Sequence, residues 1–202
     1  MDINDAINQI SEINSHLTRS EVFRGYRPLT VFFIGIAALA NCLVLTFFKI
    51  NDISFVLTVW TVLGSFLFLL ITLGIILSAV RSGENFLKHQ TIRILIQFVP
   101  ALAAGAVITW LFLKSPQTAQ YLPGVWALFF AVGIFSMKPY LPGTVIIAGL
   151  YYLVAGTVLL YASLVMGSLG HIISLWGVGL TFGSGHVITA IILLLSLKEV
   201  KS

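Results

Sequence analysis

Charge is nearly absent over long reaches of this chain, and that constrains it most. Its Lys, Arg, Asp and Glu residues leave five long charge-free intervals, at 28–48, 53–80, 94–113, 115–137 and 139–197. A helix that crosses a bilayer needs about 20 apolar residues, so the first four intervals hold one span each. The last is 59 residues long and needs two. The glycines and histidine of "MGSLGH" (166–171) mark the turn that divides it. The pattern predicts spans at 28–48, 54–80, 93–113, 122–138, 141–165 and 172–195. The expected fold is all-α, a polytopic membrane protein with a six-helix transmembrane bundle. A barrel would need strands that alternate over about ten residues. Continuous apolar runs such as "FLFLLITLGIILSAV" (66–80) fit helices instead, which satisfy their own backbone groups in lipid.

Composition agrees. Only 9% of the 202 residues are charged, 58% are hydrophobic, and the mean hydropathy is +1.04. A soluble domain carries about a quarter charged residues, so this chain lacks the means to coat a water-facing surface. The first 27 residues are polar and the first apolar run is long enough to span, so no cleavable signal is expected. Cys42 is the only cysteine, which rules out an intramolecular disulfide.

With the amino terminus inside, the inner segments hold Arg19, Arg24, Arg27, Arg81, Lys88, Arg93, Lys138, Lys198 and Lys201. The outer segments hold only Lys49 and Lys114, a bias of nine to two. By the positive-inside rule both termini are expected in the cytoplasm and the bundle in the inner (plasma) membrane. The net charge of +4 follows from the inner loops and suits anionic lipid headgroups. No basic cluster forms a folded patch, so nucleic acid is not an expected partner.

The segment 1–27 is the part able to act in water. Ile3, Ala6, Ile10, Ile13 and Leu17, with Ile7 beside them, follow the 3–4 spacing of an amphipathic helix. The stripe is shorter than the three to four heptads of a coiled coil. It could rest on the membrane, pair with its copy in a homo-oligomer, or dock a cytoplasmic protein. Arg24, Tyr26 and Arg27 precede Pro28, where interfacial anchoring competes with recognition of an acidic partner or headgroup. "RSGENFLKHQTIR" (81–93) reads as a short cytoplasmic loop, either solvated or forming a small surface with the amino-terminal helix. The candidate cytoplasmic interface is therefore Ile3, Ile10, Ile13, Leu17, Arg24, Arg27, Arg81 and Lys88. "YLPG" occurs at 121–124 and 140–143, where it opens a span each time, and the similarity ends after four residues.

No constellation for catalysis emerges. No Asp, Glu, Lys or Arg lies near the middle of a span, which argues against a carboxylate-driven transporter and a charged selectivity ring. His171 and His186 are 15 residues apart, about 22 Å along a helix, too far to share a haem iron. Zinc-spaced cysteines and His-Glu-x-x-His are absent, and no carboxylate within a span pairs with His186. Neither a catalytic residue nor a metal or cofactor is expected.

The stretch "GVGLTFGSGHVITA" (177–190) looks at first like a nucleotide loop. From Gly177 its spacing is G-x-G-x-x-x-G, and the only later acid is Glu199. A dinucleotide fingerprint needs a different spacing and a soluble βαβ unit. Gly179 and Gly183 instead form a small-xxx-small pair, widened by Ser184 and Gly185, the kind of notch that lets helices approach in lipid. His186 beside it is expected to turn inward, bonded to a Ser, Thr, Tyr or carbonyl, or else to touch a ligand or sense protons. Asn41 and Gln97 are its candidate polar partners.

"FRGYRPLTV", "LPGVWALFFAVGIFSMKPYLP" and the late "GH" together resemble a family of small, uncharacterised bacterial six-span inner-membrane proteins, over nearly the whole chain. The resemblance implies the six-span layout and brings no activity with it. The layout is also similar, more weakly, to acid-resistance membrane proteins of the HdeD type. The reading is a non-enzymatic protein that acts by association, as an accessory, structural or signalling partner. The alternative is a carrier or channel for a small neutral or apolar solute with a path near His186.

Overall fold

The computed structural model describes residues 5, 7–13, 28–81, 85–138, 143–166 and 172–199. Six principal helices account for most of them: α1 (Pro28–Phe47), α2 (Ile53–Arg81), α3 (Asn85–Phe112), α4 (Leu122–Ser136), α5 (Ile146–Val165) and α6 (Val178–Glu199). A 3₁₀ turn, Gly143–Val145, leads into α5, and a π-helical turn, Ile173–Gly177, leads into α6. Among the described residues there is no strand. Five helical segments are long and apolar enough to cross a membrane, the architecture of a multi-pass membrane protein. α4, at 15 residues, is shorter.

The helices begin and end for local reasons. Pro123 sits in the first turn of α4, where its missing N–H is not needed. Asp52 accepts the backbone N–H of Ser54 at 3.0 Å and opens α2. α1 closes with a Schellman pattern: the Ile50 N–H reaches the Leu45 carbonyl, the Lys49 N–H reaches that of Thr46, and Lys49 takes φ +52°. Pro100 lies inside α3, as membrane helices tolerate.

One sequence expectation needs correction. The segment 81–93 is mostly helix, because α2 runs through Arg81 and α3 starts at Asn85. Charge-free length locates only the lipid-compatible part of a helix. "NFLKHQTIR" contains no Pro or Gly, and α3 continues through it.

Neighbouring helices pack antiparallel, and glycine sets several of the contacts. Along α1 the buried positions are Val31, Gly35, Ala38, Cys42 and Leu45, an alternating 4–3 seam. That seam lies on α6 in opposite direction, with Gly35 against Gly183 and Cys42 against Gly179. α4 packs between α3 and α5: Gly124 meets Gly156 and Leu160, and Gly149 meets Phe135. Trp126 Nε1 donates to Thr109 Oγ1 at 2.8 Å and ties α4 to α3. One core cluster joins Phe98, Ala131, Tyr152 and Leu193; a second joins Cys42, Trp60, Leu175 and Val178. The outward surface remains apolar, with Phe33, Phe47, Leu69 and Leu164 all exposed, as a lipid-facing surface requires.

Candidate functional site

The glycines of the last helix face two ways. A Cβ on Gly179 would stand 2.8 Å from Cys42 Cβ, and one on Gly183 would stand 2.6 Å from Leu39 Cγ, both on α1. Gly185 faces α5 instead, where the Tyr152 ring occupies the space a side chain would take. The stretch is thus a double notch, with one face receiving α1 and the other receiving α5.

Into the second face projects His186. Its Nδ1 lies 2.7 Å from the Phe182 carbonyl and 3.0 Å from the Tyr152 hydroxyl. A carbonyl oxygen only accepts, so the 2.7 Å contact needs the proton on Nδ1. That tautomer leaves Nε2 as the bare acceptor, and no partner for Nε2 occurs among the described residues. Around the imidazole stand Phe130 at 5.5 Å, Tyr152 at 6.2 Å and Phe182 at 6.4 Å between ring centroids. Tyr152 itself is fully buried.

Two further polar contacts run along the same α5–α6 seam. The Tyr151 hydroxyl lies 2.6 Å from Ser184 Oγ and also donates to the Thr181 carbonyl at 3.3 Å, while Ser184 donates to the Leu180 carbonyl. Thr144 Oγ1 lies 3.1 Å from Ser196 Oγ, which donates to the Ile192 carbonyl, so Thr144 is the donor. Hydrogen bonds between helices in lipid contribute about 0.6 kcal/mol each on average. Three such contacts, at Thr144, Tyr151 and Tyr152, tie the lead-in turn and the first half of α5 to α6.

The remaining sequence candidates lie elsewhere. Neither Asn41 nor Gln97 is a partner of His186. Asn41 sits on α1 with a buried Nδ2 that has no hydrogen-bond partner. The Gln97 backbone carbonyl accepts from Ser136 Oγ at 3.1 Å. Ile10 and Ile13 lie on the helical stretch 7–13 and are exposed. Ile3, Leu17, Arg24 and Arg27 fall outside the described residues, and Arg81 and Lys88 lie on helical backbone. Sequence reasoning missed Tyr151 and Tyr152. The available signal was two adjacent hydroxyls in mid-span, in "AGLYYLVAG". Among the described residues no three of His, Cys, Asp and Glu come together to hold a metal ion.

No family model matches the chain, and comparison with curated proteins and with solved structures gives no match either.

Proposed function

We propose that this chain is a non-enzymatic, six-span protein of the bacterial inner membrane that works by association through its cytoplasmic face. The observation that carries the proposal is the helical stretch 7–13, where Ile7, Ile10 and Ile13 are 58%, 62% and 58% exposed. Three isoleucines at this spacing fall within about 120° of a helix surface, an apolar face that needs a cover. The six-span count draws support from the antiparallel pairing of α1 with α6. A first and last span that run oppositely fit an even number of crossings, which supports a crossing by α4 as well. At 15 residues it is roughly 22 Å long, and it lies antiparallel to both α3 and α5. Nine inner basic residues against two outer ones orient both termini inward.

The test is a photo-crosslinking side chain placed at Ile10 in the intact membrane. Protein adducts are expected, and they should vanish in the Ile7→Asp, Ile13→Asp double variant. Adducts to lipid alone would overturn the association reading. A second reading, passage of a small neutral solute past His186, is favoured by the unpartnered Nε2. A flux into proteoliposomes that His186→Leu abolishes would support it, and an unchanged flux would remove it.

A further inference from the structure

We propose a lipid site, independent of the association reading: the cavity between the end of α1 and the π-helical turn seats one anionic phospholipid of the adjoining leaflet. The cavity has a volume of about 270 Å³. Leu45, Ile172, Leu175 and Trp176 give it apolar walls. Its polar lining residues are Thr46, Lys49 and Asn51, all three exposed, so it is entered from outside the bundle. Leu175 and Trp176 belong to the π turn Ile173–Gly177, a departure from α-helical register that is frequent at functional sites.

Two separate observations single out Lys49. Its backbone holds φ +52° at the end of α1, in a Schellman position that glycine usually fills and a side chain disfavours. A lysine kept there has a use for its side chain. Second, neither Lys49 nor Asn51 has a side-chain hydrogen bond or ion pair among the described residues. Lys114 differs. It belongs to the same end of the bundle, since Ile53 of α2 packs with Phe112 and Leu113, and its Nζ lies over the Trp110 ring at 5.1 Å. Lys49 is thus an uncompensated cation at the mouth of an apolar cavity.

The lining selects the guest. An ammonium beside an amide NH₂ suits phosphate oxygens, which only accept, and the apolar walls suit hydrocarbon. The Thr46 hydroxyl already donates to the Cys42 carbonyl at 2.8 Å, so Asn51 supplies the neutral donor. Asp52 does not line the cavity, and its carboxylate takes the Ser54 N–H instead. No acid in the lining therefore balances a choline or ethanolamine cation, and a headgroup of net negative charge fits best. At about 30 Å³ per water-sized group the cavity holds roughly nine. That is room for a phosphate with its glycerol neck, while the chains continue along the exposed Val44 and Phe47.

The experiment uses the full chain with ¹⁵N-labelled indoles in nanodiscs of phosphatidylcholine, into which phosphatidylglycerol is titrated. The Trp176 Nε1–H resonance is expected to shift and saturate at a low fraction of phosphatidylglycerol. Trp110, exposed beside Lys114 at the same end, should move only in proportion to that fraction. Lys49→Gln should weaken the apparent affinity about fivefold, the contribution of one lysine beside an anionic headgroup. Lys49→Arg, which keeps the charge, should restore it. Soluble glycerophosphate, the same head without chains, should leave Trp176 unmoved. Three results would overturn the proposal: parallel, unsaturated shifts of Trp176 and Trp110, an unchanged titration in Lys49→Gln, or an equal response to glycerophosphate.

Discussion

Gly35→Ala and Gly64→Ala make the same chemical change and should move stability in opposite directions. A Cβ on Gly35 would stand 2.7 Å from the Gly183 carbonyl oxygen, 3.1 Å from Val187 Cγ2 and 3.2 Å from His186 Cβ. Ordinary contact begins at 3.4 Å, so α1 and α6 must part by 3.4 − 2.7 = 0.7 Å, and the nearest atom is backbone that cannot rotate away. Overpacking of this kind costs about 1–3 kcal/mol. A Cβ on Gly64 of α2 meets nothing within 4 Å. There the change brings only the helix-propensity gain of Ala over Gly, about 1 kcal/mol. The same gain applies at Gly35 and cancels in the difference, so Gly35→Ala should be the less stable by about 1–3 kcal/mol. That is roughly a five- to 150-fold change in the unfolding equilibrium. Unfolding in mixed micelles by SDS titration, followed by far-ultraviolet circular dichroism, measures it. If both variants shift alike, in either direction, the close approach of α1 and α6 is not what the glycine provides.

The α5–α6 tie is open to a double-mutant cycle. Tyr152→Phe and His186→Leu should each destabilise the bundle, with a coupling of about 0.6 kcal/mol and no more than about 1.7; strictly additive losses would mean the 3.0 Å contact carries no energy. Lys49 holds φ +52° at the end of α1, a conformation glycine adopts freely. Lys49→Gly should therefore raise stability by about 1 kcal/mol, and a lowered thermal midpoint would show that the lysine side chain contributes more than its backbone costs.

What could be read in advance, and what could not, follows from lipid as a solvent. The helices were legible because only continuous apolar runs can satisfy their backbone in a bilayer, and charged residues mark where each run stops. The same rule hid the start of α3 at Asn85, since a helix may extend into water where charges no longer report its end. The two-sided notch was legible in principle. Gly179 and Gly183 are four residues apart and share a face, whereas Gly185 lies two residues beyond Gly183, about 200° around the helix. Which helix fills each face was not legible. A soluble helix announces its buried side by a polar opposite side, but α2 and α6 have no distinct polar side. Nothing in their periodicity sends Gly185 to Tyr152 or Gly179 to Cys42. The polar residues within the spans carry the information that periodicity lacks, because each must find a partner or face a cavity. Tyr151, Tyr152 and His186 find partners. Asn41, Trp60 and Ser174 do not. Hydrogen bonding, and not periodicity, is therefore what assigns this face of α6 to α5.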